Sequence, residues 1–293
     1  MSSMTKVMQK LAGTGGPADQ AAAIADTQLS EPPSAASAFV AEGGASPPRA
    51  FALPTLNDET STWQTHQVDP SIIAFHDRYS TICERYRSIR ARLLTMNPTR
   101  APQVIALTSA VRREGKSVSA ANLSLVMAEG GEQRVLLVDA DLRRGSIARL
   151  LGIPESPGLV ELLRGQATLA ETLRPSPLPN LRVLPAGTVG KSGCAELLGG
   201  AAVTSLLNTF RRVFDYTLVD TPPVTIVSDV CLLAPRCDGA ILVIQMHRTP
   251  EPTVQQAVRT LQANQVRILG SILSHFSERD NGYYDNYPTS RGL

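Results

Sequence analysis

The chain has 293 residues, a formal net charge of +2 and four cysteines. Its Lys and Arg are spread along the sequence, which excludes a dedicated nucleic-acid surface. No apolar run approaches the roughly 18 to 20 residues of a membrane-spanning helix, so direct membrane insertion is not expected. Cys83, Cys194, Cys231 and Cys237 form no CxxC pair and have no His at ligand spacing, which predicts buried free thiols in a reducing compartment. Met1 to Lys10 is followed by Gly and polar residues instead of an apolar stretch, so no secretory signal is expected and the location is cytoplasmic.

Residues 1–70 are rich in Ala, Ser, Pro and Gly without a sustained period, and are expected to form a disordered extension. In residues 71–100 an amphipathic helix is expected between His76 and Leu94. Its face carries Ile82, Tyr86, Ile89 and Leu93, and Pro98 and Pro102 end it. Residues 101–276 read as the folded domain. A strand at Val104 to Leu107 is followed by a loop and a helix over Val118 to Ala128, closed by Gly130 and Gly131. Further strands are expected at Val135 to Val138, Leu181 to Leu184, Tyr216 to Val219, Ala240 to Ile244 and Ile268 to Leu273. Helices fit around Ala195 to Phe214, Asp229 to Ala234 and Pro252 to Ala263. Near-continuous apolar strands alternating with helices predict an α/β fold, a mostly parallel sheet with helices on both faces. Residues 277–293 read as a flexible tail that holds Tyr283, Tyr284 and Tyr287, half of the chain's six tyrosines.

The chemistry concentrates where strands end. Ala110-Val111-Arg112-Arg113-Glu114-Gly115-Lys116-Ser117 fits a phosphate-binding loop with Ala in place of the first Gly, and Val118 continues into the helix. Gly115 lets the backbone approach phosphates, and amides at the helix N-terminus donate to them. Lys116 reaches the terminal phosphates, while the Ser117 hydroxyl can ligate magnesium. Asp139 and Asp141 leave the next strand, and Asp220 leaves a later one ahead of Pro222 and Pro223. Ligands of open α/β sheets bind at that edge, so the three carboxylates are candidates for holding magnesium beside a nucleoside triphosphate. Spacing alone does not separate the roles of Asp139 and Asp141.

From Thr81 to Leu273 the chain resembles the bacterial tyrosine kinases of exopolysaccharide and capsule synthesis. The marks are Asp139-x-Asp141-x-Arg143 after an apolar strand, Asp220-Thr-Pro-Pro223, Ser228-Asp229 and Glu84-x-x-Arg87-x-x-Arg90, and the tail tyrosines beyond that range add a further match. The resemblance implies a P-loop NTPase fold of the deviant-Walker, MinD/ParA-like superfamily. It implies an autokinase that uses ATP and Mg2+ to phosphorylate Tyr283, Tyr284 or Tyr287 of a neighbouring subunit, and so regulates polymerisation and export of the polysaccharide. Lys116, Asp139 and Asp141 would be catalytic, and Ser117, Asp139, Asp141 and Asp220 would hold the metal. Glu84, Arg87 and Arg90 would pack subunits into a ring. A membrane protein of polysaccharide chain-length control or export would activate the kinase at the inner face of the plasma membrane.

Two positions depart from the family. Arg113 replaces a glycine, and Leu273-Ser274-His275 stands where related ATPases carry an Asn that contacts adenine. Three other readings remain: a partition or division-site ATPase, an iron-sulfur carrier ATPase, and a non-catalytic relative that binds ATP and only assembles. The first usually has an extra lysine where this chain has Val111, and the second needs paired cysteines.

Overall fold

Strands that are apolar on both sides have to be covered on both faces. The computed structural model, which describes residues 63–188 and 193–275, has that arrangement. Helices α1 (Ile73–His76) and α2 (Thr81–Thr95) precede β1 (Gln103–Ser109), α3 (Lys116–Ala128) and β2 (Val135–Asp139). Three short helices follow, α4 (Ile147–Leu151), α5 (Leu159–Leu163) and α6 (Leu169–Thr172), then β3 (Arg174–Pro175) and β4 (Leu181–Leu184). The rest comprises α7 (Cys194–Gly199), α8 (Ala201–Val213), β5 (Tyr216–Asp220), α9 (Asp229–Leu233), β6 (Gly239–Gln245), α10 (Glu251–Ala263) and β7 (Ile268–Ser274).

The sheet runs β3-β4-β2-β5-β1-β6-β7. All pairings are parallel except the β3–β4 edge. Because successive strand residues point to opposite faces, the strands feed two cores. Ile105, Leu107, Leu137 and Leu218 pack with Leu123 and Met127 of α3 on one face. Val104, Leu136, Val138 and Val219 pack with Leu206 and Phe210 of α8 on the other. Since β5 sits between β1 and β2, the loop after β1 and the ends of β2 and β5 meet at one edge of the sheet.

Several boundaries differ from expectation for local reasons. The helix expected from His76 begins at Thr81, where the Ser80 hydroxyl accepts the Cys83 N–H at 3.3 Å. Its buried positions are Cys83 and Leu93, with Tyr86 and Ile89 packed against the same core, while Ile82 is 44% exposed. The single helix expected over Ala195 to Phe214 is two, because Gly200 is extended (φ −66°, ψ 159°) and caps α8. Residues 63 to 70, assigned above to the extension, pack on the domain: Trp63 and Val68 are 5% and 3% exposed. The remainder of the expected extension lies outside the described residues, as does the tail with Tyr283, Tyr284 and Tyr287. The four cysteines are free; Cys83 and Cys194 are buried, Cys231 and Cys237 half-buried. Among the described residues, no helix is long and apolar enough to cross a membrane.

Candidate active site

The phosphate-binding loop is shaped from inside. Gly115 caps α3 at φ +82°, a left-handed conformation that glycine takes without strain, and Lys116 opens the helix. Glu114 turns its carboxylate inward, 1% exposed, where it accepts the Val111 N–H at 2.7 Å, the Gln245 N–H at 3.3 Å and the Thr249 hydroxyl. Ala110 is buried and its carbonyl accepts the Thr225 hydroxyl. Ala110, Val111 and Glu114, expected above to contact nucleotide, are therefore engaged in bracing the loop against β6 and the segment after β5. Ser274 joins that brace by donating to the Glu114 carbonyl at 2.7 Å.

Arg112, Arg113, Glu114, Gly115, Lys116, Ser117 and Val118 line a cleft of about 250 Å3. Arg113 sits at φ +66°, which gives the relatives' preference for glycine a physical reason. Left-handed backbone costs a residue with a side chain about 1 kcal/mol or more, so Arg113→Gly is expected to raise stability by about 1 kcal/mol in thermal or urea unfolding. An unchanged or lowered midpoint would show that this loop carries no such strain.

The acidic residues converge through sheet register. Asp139 and Asp220 are directly paired on β2 and β5, and Leu107 of β1 pairs with Asp220 on its other side. Lys116 Nζ lies 3.2 Å from Asp220 Oδ1, 3.3 Å from Asp141 Oδ2 and 3.1 Å from Ser117 Oγ. Ser117 Oγ donates to Asp220 Oδ2 and accepts from Ser146 Oγ at 2.8 Å. Burial disfavours the Lys116 charge, but Asp220, Asp141 and Asp139 outweigh it and hold its pKa above the ordinary value. Burial is also the main reason that Asp139 and Asp220 are pushed up, against the pull of Lys116.

The two aspartates of the motif are not equivalent. Asp139 is fully buried, and its carboxylate accepts three backbone N–H groups: Asp141 at 3.1 Å, Ser146 at 2.7 Å and Ile147 at 2.9 Å. Asp141 lines the cleft. Arg143 forms a two-pronged pair with the buried Asp229, at 2.7 and 3.0 Å, so it ties the motif to Ser228-Asp229. Ser146 was not anticipated as a site residue; its signal is position alone, at the turn after Asp-x-Asp-x-Arg.

Among the described residues, no cluster of three or more His, Cys, Asp or Glu could hold a metal by itself. Magnesium does not need one, since it binds through one or two carboxylates together with phosphate oxygens and water. The hard oxygen donors Ser117 and Asp220 fit that role with Asp141 beside them, whereas Asp139, expected above as a metal ligand, accepts three amides with its oxygens.

The Glu84, Arg87 and Arg90 motif is engaged within the chain. Arg87 bonds Glu129 at 2.9 and 2.8 Å and Glu84 at 2.6 Å, and Arg90 donates to the Val126 carbonyl at 2.8 Å. Both arginines thus fasten α2 to the C-terminal end of α3, where cations are favoured. The Glu84 side chain remains 66% exposed.

Residues 100–282 match the family model described as ParA, NUBPL iron-transfer P-loop NTPase. The chain is 30% identical over 219 residues to the tyrosine-protein kinase YwqD of Bacillus subtilis, covering 75% of this chain and 92% of YwqD. It is 31% identical over 210 residues to the succinoglycan biosynthesis transport protein ExoP of Rhizobium meliloti, covering 71% of this chain. The chain spans only 27% of ExoP, and 29% and 25% of two Ralstonia relatives. The kinase domain of the Escherichia coli tyrosine kinase ETK superimposes with a TM-score of 0.66 at 25% identity, covering 78% of this chain and 90% of that domain. With the phosphate loop, the strand-end aspartates and their shared edge in place, the chain belongs to the bacterial tyrosine kinases, on a ParA-type P-loop NTPase fold that binds nucleotide.

Proposed function

We propose that this chain is an ATP- and magnesium-dependent protein-tyrosine autokinase whose acceptors are Tyr283, Tyr284 or Tyr287 of a neighbouring copy, and that it regulates polysaccharide polymerisation and export. The observation that carries the reading is the convergence of Lys116, Ser117 and Asp141 on one cleft, with the buried Asp220 bonded to Lys116 and Ser117 behind it, within a chain of this family. Phosphoryl transfer asks mainly for positioning and charge neutralisation. Lys116 and the amides at the start of α3 would hold the phosphates, and Ser117 and Asp220 would hold magnesium, which would supply charge neutralisation there. Asp141 orients the tyrosine hydroxyl and takes its proton as the tyrosine oxygen bonds to the γ-phosphorus and the bond to the β-phosphate oxygen breaks. Arg143, through Asp229, positions the loop that carries Asp141.

The exposed Glu84 and the resemblance support assembly through α2, and the resemblance supports activation by a membrane protein of chain-length control or export at the inner face of the plasma membrane. Mass spectrometry of the purified parent beside Lys116→Ala tests the core of the reading. Phosphate is expected on one or more of the three tail tyrosines in the parent and on none in the variant. Equal phosphate in both, or none in the parent incubated with ATP and magnesium, sinks it.

A further inference from the structure

Four arginines, Arg112, Arg113, Arg144 and Arg149, line the cleft and are exposed. None of them has a carboxylate within ion-pair distance among the described residues; Arg143, by contrast, is consumed by Asp229. Asp69, hydrogen-bonded to Ser71, feels the charge of Arg149. Arg112 and Arg113 belong to the phosphate loop. Arg144 follows Asp141 and Arg149 stands on α4, and the apolar Pro223, Ile226 and Val227 line the same cleft. Ile226 is 41% exposed, unusual for so large an apolar side chain. An apolar patch next to two unpaired cations suits an aromatic ring flanked by acids.

The chain itself carries such a segment. Asp280-Asn281-Gly282-Tyr283-Tyr284-Asp285-Asn286-Tyr287 places carboxylates three residues before Tyr283 and directly after Tyr284. The described chain ends at His275, just after β7, where Ser274 touches the phosphate loop at the same sheet edge as the cleft.

Resting on the kinase reading above, we propose that Arg144 and Arg149 determine acceptor specificity: they hold the acid-flanked tyrosines of the tail, through Asp280 and Asp285, while the ring lies against Pro223 and Ile226. The cleft is thereby selective for tyrosines in acidic sequence.

The test uses a fluorescent peptide of residues 276–293 and the full chain with magnesium and a non-hydrolysable ATP analogue, read by anisotropy. The parent is expected to bind the native peptide about fivefold more tightly than one carrying Asp280→Arg and Asp285→Arg. The Arg144→Glu, Arg149→Glu variant is expected to invert that preference, and the Arg144→Lys, Arg149→Lys variant to retain it. A preference that survives charge reversal overturns the proposal, and so does a variant whose affinity for the analogue falls as much as its affinity for the peptide. With ATP in place of the analogue, phosphate on the peptide reports the kinase reading separately. Inversion without phosphate supports the docking assignment and defeats the kinase, whereas phosphate without inversion does the reverse.

Discussion

Lys116→Ala is expected to unfold at a markedly lower temperature than the parent in the absence of nucleotide, and to lose tyrosine phosphorylation altogether. In the free protein Lys116 is the cation shared by Asp220 and Asp141, whose side chains are 0% and 8% exposed. Removing one partner from a buried ionic cluster costs about 3 to 5 kcal/mol, because the remaining charges are left without compensation. For a domain of this size that corresponds to a fall in Tm of roughly 10 °C. Millimolar magnesium should return part of it in the variant, since the cation then meets the same carboxylates. The catalytic loss has a separate origin: a donor aimed at phosphate charge is worth about 100- to 1000-fold in rate. Calorimetry with and without magnesium, beside phosphotyrosine detection, reads both. A variant that melts with the parent would mean that the lysine is not engaged by these aspartates in solution.

What the sequence made legible and what it hid divide by range. The phosphate loop, Asp139, Asp141 and Asp220 could be read because each lies within a few residues of the apolar strand that positions it, and a parallel sheet brings such strand ends to one edge. The inward turn of Glu114 could not, since its partner Thr249 is 135 residues away. Nor could the Arg143–Asp229 pair, 86 residues apart, or the use of Arg87 on Glu129, 42 residues apart. Read on its own helix, Arg87 looks like a surface charge; the end of α3 decides otherwise. The helices α4, α5 and α6 escaped for a different reason. At five, five and four residues they are too short to show a period, and tertiary packing rather than propensity holds them. Arg113 was legible as a departure, but its meaning came only with its backbone angle.

Asp139→Asn and Asp141→Asn are expected to fail in different ways, which separates two residues that the motif alone leaves interchangeable. Asp139 accepts three buried N–H groups, two of them on one oxygen at the start of α4. An asparagine presents an NH2 group to at least one of these donors, and each donor left unpaired costs about 1 to 3 kcal/mol. Asp139→Asn should therefore lower stability by about 3 kcal/mol, and lose activity because α4 and the Ser146 contact to Ser117 shift with it. Asp141 holds no such amides with its side chain; its carboxylate meets Lys116, which keeps Asp220 as a partner. Asp141→Asn leaves Lys116 paired with Asp220 and should lose less stability than Asp139→Asn, below the cost of about 3 to 5 kcal/mol for breaking a buried pair outright, while turnover falls about 100- to 10,000-fold as expected for loss of a general base. Unfolding midpoints set beside single-turnover phosphorylation rates distinguish the two. If Asp139→Asn is the stable, inactive protein and Asp141→Asn the unstable one, the roles are exchanged and the base in this cleft is Asp139.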